Sequence, residues 1–188
     1  VQLGGATGSL DGFGAAGPEL VARLASRLGL ATPVLPWHTD RTRIAELVGA
    51  LATTAGVLGK IARDIVLLAQ TEVAEVAEAT PGGSSAMPHK RNPVAAVSTL
   101  ACASQAPGLA ATLYAAMVQE HERGAGSWQA EWRPLRELHV AVGSAAAWLR
   151  DCVTGLVVDR AALAGNLARL AATAELSDPA ARIGASAE

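Results

Sequence analysis

Between Asp40 and Glu78 the apolar side chains Ile44, Leu47, Leu51, Leu58, Ile61, Ile65 and Leu68 recur at steps of three, four or seven residues. That spacing places them in one stripe along a helix. It predicts a single helix from about Asp40 to about Glu78, on the order of 55 Å long at 1.5 Å per residue. A lone compact domain of 188 residues has little use for such a rod. A bundle of several long helices, contributed by several subunits, does. Gly49, Gly56 and Gly59 fall inside the stretch. Each costs about 1 kcal/mol against alanine in a helix interior, so their expected role is to let a neighbouring helix come close.

An all-α fold suits the rest of the chain. It is 51% hydrophobic but only 3% aromatic, so alanine and leucine must build the core, and they favour packed helices over a sheet. Pro18 and Gly29 bracket a first helix, and Pro33 and Pro36 punctuate a linker. After a loop at 79–93, helices are expected at 94–106, 107–121 and 134–154, and a last one starts near Asp159. No convincing strand is evident. Residues 1–154 are assigned to part of a central helical-bundle domain, and 155–188 to the start of a small C-terminal helical region. Val94 to Val118 carries no charge and is long enough to span a bilayer. Polar residues and Pro107-Gly108 interrupt it, so two core helices explain it better and no membrane partner is expected.

Several chemistries find no support. Net charge is -2, with 15 basic and 17 acidic residues and no basic block, so nucleic acid is not an expected partner. His38, His89, His121 and His139 lack paired-ligand spacing, so no metal is expected. "GGATGS" fails the GxGxxG pattern of dinucleotide binding. Cys102 and Cys152 lack metal-like spacing and are expected to be buried, reduced thiols, which fits a cytoplasmic protein.

"GGSSAMPHKRNP", Gly82 to Pro93, stands out against its Ala/Leu/Val-rich flanks. Two glycines permit tight backbone angles and two prolines stiffen the far side. Between them lie hydroxyls (Ser84, Ser85), cations (Lys90, Arg91) and an amide (Asn92). Such a set can bind a carboxylate and stabilise negative charge growing beside it. A serine there can carry a proton if cations and N–H groups lower its pKa. A solvated turn between helices has the same composition, and the residues alone leave both readings open.

"GSSAMPHKRNP" resembles the signature loop of the fumarase/aspartase superfamily, GSSxMPxKxN. "QLGGATGS", "LLAQTEVAEVAE" and "VQEHERGAG" occur in the same order in that superfamily. "PWHTDR", "HKRNPVAA" and "GSWQAEW" resemble its bacterial cycloisomerase branch. The resemblance runs from Val1 to about Leu170. It implies mostly helical subunits whose long central helices associate into a homotetramer, and no organic cofactor.

The resemblance also implies roles. Ser84 matches the proton-transfer serine. Lys90 and Asn92 match positions that hold a substrate carboxylate and stabilise its enolate-like form, which makes Ser84 and Lys90 the expected catalytic pair. Ser85, Met87, Asn92 and Arg41 are the expected substrate-binding residues; an ordinary surface position on the long helix is the other reading of Arg41. His89 sits at a variable position. Glu122 and Arg123 fit a local ion pair, and Trp128 and Trp132 fit either pocket or core. Val97 and Trp132 replace the glutamate and the phosphate-binding arginine of nucleotide-specific members. A small polycarboxylate is therefore the expected substrate, and lactonisation of a carboxylated muconate the expected reaction. The alternatives are a β-eliminating lyase acting on a succinate-type compound, or a non-catalytic homologue. Two superfamily motif regions, one with a catalytic histidine, normally precede "GGATGS". The expected partner is thus the remaining N-terminal part of the same enzyme, without which this stretch is expected to be inactive.

Overall fold

The computed structural model describes residues 1–83, 85–87 and 91–174. They form α1 (Gly17–Leu28), α2 (Thr42–Leu68), β1 (Val76–Ala77), α3 (Val94–Ala103), α4 (Ala106–Ala115), α5 (Ser127–Thr154), β2 (Val157–Val158) and α6 (Arg160–Ala174), with a 3-10 turn at Asp11–Ala16. The mostly helical fold is as the composition required. The chain divides into two compact units, residues 1–59 with 101–145 and residues 60–100 with 146–188. Both α2 and α5 supply residues to each.

The first unit is built on small side chains. Val48, Ala55, Ala103, Ala106, Ala110, Leu113, Leu138, Val142 and Ala145 form its buried cluster. On α2 the centre of the buried face runs through Val48, Ala55 and Ala62, with Ile44, Leu51 and Leu58 flanking. Leu47 and Ile61 point outward, 40% and 38% exposed. The stripe of large residues is thus off-centre, because alanine lets backbones approach and so marks the tightest contact. A Cβ on Gly59 would lie 3.4 Å from Ala103 Cβ, and one on Gly49 would lie 3.0 Å from the Tyr114 hydroxyl oxygen. Both glycines therefore sit at close approaches. A Cβ on Gly56 would meet nothing within 4 Å.

Among the boundaries that differ from the sequence reading, three matter most. First, α2 ends at Leu68, ten residues early. Ala69 and Gln70 close its last turn, Ala74 takes a left-handed φ of 53°, and Val76 and Ala77 pair with Val158 and Val157. "VAEVAE" has helical spacing and no stop signal, but tertiary partners outweigh local propensity here. Asn166 Nδ2 donates to Val73 O and Glu75 Oε1, each at 2.8 Å. Second, α5 starts seven residues before Pro134, which sits inside it. The two added turns bring Glu131 to a buried partner described below. Third, Ser104–Gln105 separates α3 from α4, and each is only ten residues long. Neither alone reaches the length of a membrane span. By length and composition two stretches of the described residues do, α2 at 27 residues and Val94–Ala115, α3 and α4 taken together, at 22.

The second unit holds the two short strands and buries Ala62, Ile65, Ala96, Thr99, Leu149 and Cys152. Asp159 caps α6, its Oδ1 accepting the N–H groups of Ala161 and Ala162 at 2.9 Å, which satisfies donors a helix start leaves open.

Candidate functional site

The loop after β1 is gathered at its neck. Gly82 N–H donates to Asn92 O at 2.9 Å and Asn92 N–H to Gly82 O at 2.8 Å, an antiparallel bridge. Asn92 Nδ2 donates to Gly83 O at 3.3 Å. An amide NH2 carries two protons, and the second has no partner among the described residues. Neither Gly82 nor Gly83 takes a left-handed φ. Gly82 serves close approach instead: a Cβ there would lie 2.3 Å from Val94 Cγ2.

A cleft of about 450 Å³ opens beside the neck in the same unit. Met87, Arg91 and Asn92 come to it from the loop, and Gln70, Thr71 and Glu72 from the turn after α2. One cation, one carboxylate and two amides thus face a partly apolar hollow. Of the expected substrate-binding residues, Met87 and Asn92 line this cleft, whereas Ser85 is exposed and does not. Ser84 and Lys90, the expected catalytic pair, and His89 lie outside the described residues. Gln70 to Glu72 escaped the sequence reading because it ran the helix straight through them. The only signal was their place in "LLAQTEVAEVAE".

Arg41 lies in the first unit, 8% exposed. Its Nε and Nη2 donate to Glu131 Oε1 and Oε2 at 2.8 and 2.5 Å, and its Nη1 donates to His38 O at 2.9 Å. Gln119 Nε2 adds a 3.0 Å bond to Glu131 Oε1. The surface alternative is therefore excluded, and the guanidinium is held by a bidentate carboxylate, a strong and geometrically specific pairing. His38 packs edge-on against Trp128, whose ring also carries the Arg123 guanidinium at 4.9 Å. Burial, then Arg123 and Arg41, hold the His38 pKa below its usual value against the opposing pull of Glu131. His38 Nε2, Gln119 Oε1 and Arg123 Nε are buried without a hydrogen-bond partner among the described residues. Arg123 does not pair with Glu122; its Nη2 donates to Gly5 O at 2.7 Å. Trp132 stacks edge-on against Trp128 and is 56% exposed.

"GGATGS" explains itself through this contact. Gly8 takes a φ of +85°, and a Cβ there would lie 2.1 Å from the Glu122 carbonyl oxygen. Backbone cannot step aside as a flexible side chain can. Gly8→Ala is therefore expected to destabilise by about 2 kcal/mol or more, from strain and overpacking together. A urea midpoint unchanged from the parent would refute that.

Comparison with known proteins fits this arrangement. Residues 1–108 match the lyase family. The 3-carboxy-cis,cis-muconate cycloisomerase of Bradyrhizobium diazoefficiens is 53% identical over 170 residues, covering 89% of this chain and 38% of that protein. The nitrosuccinate lyase of Streptomyces davaonensis is 48% identical over 178 residues, covering 89% and 38%. The crystal structure of the 3-carboxy-cis,cis-muconate lactonizing enzyme from Pseudomonas putida superposes with a TM-score of 0.80 at 45% identity, over 89% of this chain and 37% of that one. The chain thus spans under two-fifths of the length of these relatives. With its signature loop held between β1 and α3, a fold that superposes on the lactonizing enzyme, and a family match over residues 1–108, the chain belongs to the lyase family of the fumarase/aspartase superfamily.

Proposed function

We propose that this chain supplies the signature loop of an enzyme that lactonises 3-carboxy-cis,cis-muconate. The observation carrying the reading is the likeness, over 89% of the chain, to a cycloisomerase of that substrate. In the reaction a carboxylate oxygen adds to a conjugated double bond, and a proton reaches the carbon α to another carboxylate. No atom is lost. Negative charge passes through an enediolate-like intermediate, where one well-placed donor is worth about 3 kcal/mol. Lys90 and Asn92 are the donors and Ser84 the proton carrier, with Ser85 and Met87 shaping the substrate's seat. Arg41, expected from the resemblance to bind substrate, has its Nε and Nη2 engaged by Glu131. The outward-facing Leu47, Val57, Ile61 and Leu67 of α2 suit burial against other long helices, which is the support for a homotetramer, and the free thiols of Cys102 and Cys152 suit a reducing, cytoplasmic setting.

The nitrosuccinate lyase relative favours a second reading, β-elimination from a substituted succinate on the same loop. Turnover of both compounds by the assembled enzyme separates the two. We expect kcat/KM for the muconate to exceed that for nitrosuccinate by at least about 10², well inside the roughly 10⁴–10⁵ by which a polar pocket can reject a substrate that leaves its groups unpaired. The opposite ratio overturns the lactonisation reading.

A further inference from the structure

Glu78 is a carboxylate that the loop chemistry leaves unused. It lies just before the loop, is 7% exposed, and pairs with no cation among the described residues. Its Oε2 accepts the N–H of Ala95 at 3.1 Å and its Oε1 the N–H of Ala96 at 2.9 Å. Those two groups belong to the first turn of α3, where donors are otherwise open and the helix dipole favours negative charge. A buried carboxylate is costly unless such donors surround it. Cys152 supplies a third contact. Burial, and then its hydrogen bond and proximity to Glu78, push its thiol up to about 12, so it stays a protonated donor.

The two ends of this clamp are the two ends of the loop. Glu78 precedes residue 79, where the loop leaves β1. Ala95 and Ala96 follow Pro93, where it enters α3. Within the clamp sits the Gly82–Asn92 bridge. Two rungs therefore hold the neck, one of side chain to backbone and one of backbone to backbone. We propose that Glu78 is a positioning residue: by binding the start of α3 it fixes the neck of the loop and so the placement of Asn92. The claim that this placement serves turnover rests on the proposed function. The clamp itself does not.

The side-chain chemistry makes the idea testable. Glutamine keeps the length but offers one carbonyl oxygen, and its NH2 group confronts the second backbone donor. Aspartate keeps the charge but is one methylene short. Alanine removes both bonds. The experiment uses the assembled enzyme and its E78Q, E78D and E78A variants. Amide exchange at Gly82, Asn92, Ala95 and Ala96 reads the clamp without any substrate. Kinetics with 3-carboxy-cis,cis-muconate and nitrosuccinate read its consequence.

We expect exchange at these four amides to quicken at least ~10-fold in E78A, because the local opening they report loses its resistance. E78Q should fall between E78A and the parent. On whichever compound the parent turns over, kcat should drop ~10-fold or more in E78A with a smaller change in KM, and E78Q should recover part of it. Parental exchange rates in E78Q, E78D and E78A overturn the clamp. Faster exchange with parental kcat overturns the positioning role. If E78A does not assemble, E78Q and E78D decide by the same measures. If the parent turns over neither compound, the proposed function fails while the exchange data still judge the clamp.

Discussion

Glu131→Ala is expected to destabilise the fold by about 3–5 kcal/mol, the usual cost of leaving a buried charge without its partner. The side chains of Arg41 and Glu131 are 8% and 2% exposed, so solvent does little to screen them. Three donors converge on Glu131, two from Arg41 and one from Gln119. All three lose their acceptor together. Replacing both ends by apolar groups of similar size, Arg41→Met with Glu131→Leu, should cost less than the single change, because no charge is then stranded. Some loss remains, since the His38 carbonyl and the Gln119 amide each lose a partner. Urea denaturation at constant slope measures both variants. A single variant within about 1 kcal/mol of the parent would show the pair to be worth no more than an exposed one.

The same cluster sets an acid limit. The folded His38 pKa lies below its usual value, first through burial and then through Arg123 and Arg41. The unfolded chain therefore takes up a proton that the folded one resists. The His38 contribution is intact above the unfolded value of 6.5 and fades as pH falls below it toward the folded value. Glu131 is the one neighbour that pulls the other way. Its removal lowers the folded value further and extends the acid-side loss.

What was legible in the sequence was what local chemistry decides. Pro18 and Gly29 bracket α1 as their backbone preferences require, and Asp159 caps α6. The break between α3 and α4 followed from Pro107 and the polar residues before it. What failed was decided by distant partners. "VAEVAE" reads as helix until Val158 and Asn166 claim it. Ser127 to Arg133 fell before the helix expected at 134–154, yet they form its first turns, where Arg41, ninety positions away, claims Glu131. The buried face of α2 was misplaced for a related reason. Periodicity weights large side chains, whereas the tightest packing here falls on alanine. Resemblance identified the loop, yet only the fold shows that Gln70 to Glu72 share its cleft, and that Arg41 is paired and buried.

Ser84→Ala is expected to lower kcat by at least ~10², the range typical of a proton-transfer group, while assembly and unfolding midpoint stay parental. A serine hydroxyl is a poor base alone, so neighbouring charge must improve it. Lys90 is six residues on, and Pro88 and Pro93 limit the paths the chain between can take. A cation near the hydroxyl favours its anionic form. The same cation would stabilise the negative charge that develops on the substrate, which couples the two residues. Lys90→Met should therefore impair both kcat and KM, whereas Ser84→Ala should act mainly on kcat. The double variant should lose less than the product of the two single losses, because each single change already disables the unit. His89→Gln, at a position the superfamily pattern leaves free, should stay near the parent. Near-normal kcat in Ser84→Ala would reduce the serine to a loop-shaping role. The proton carrier would then have to be a residue other than Ser84.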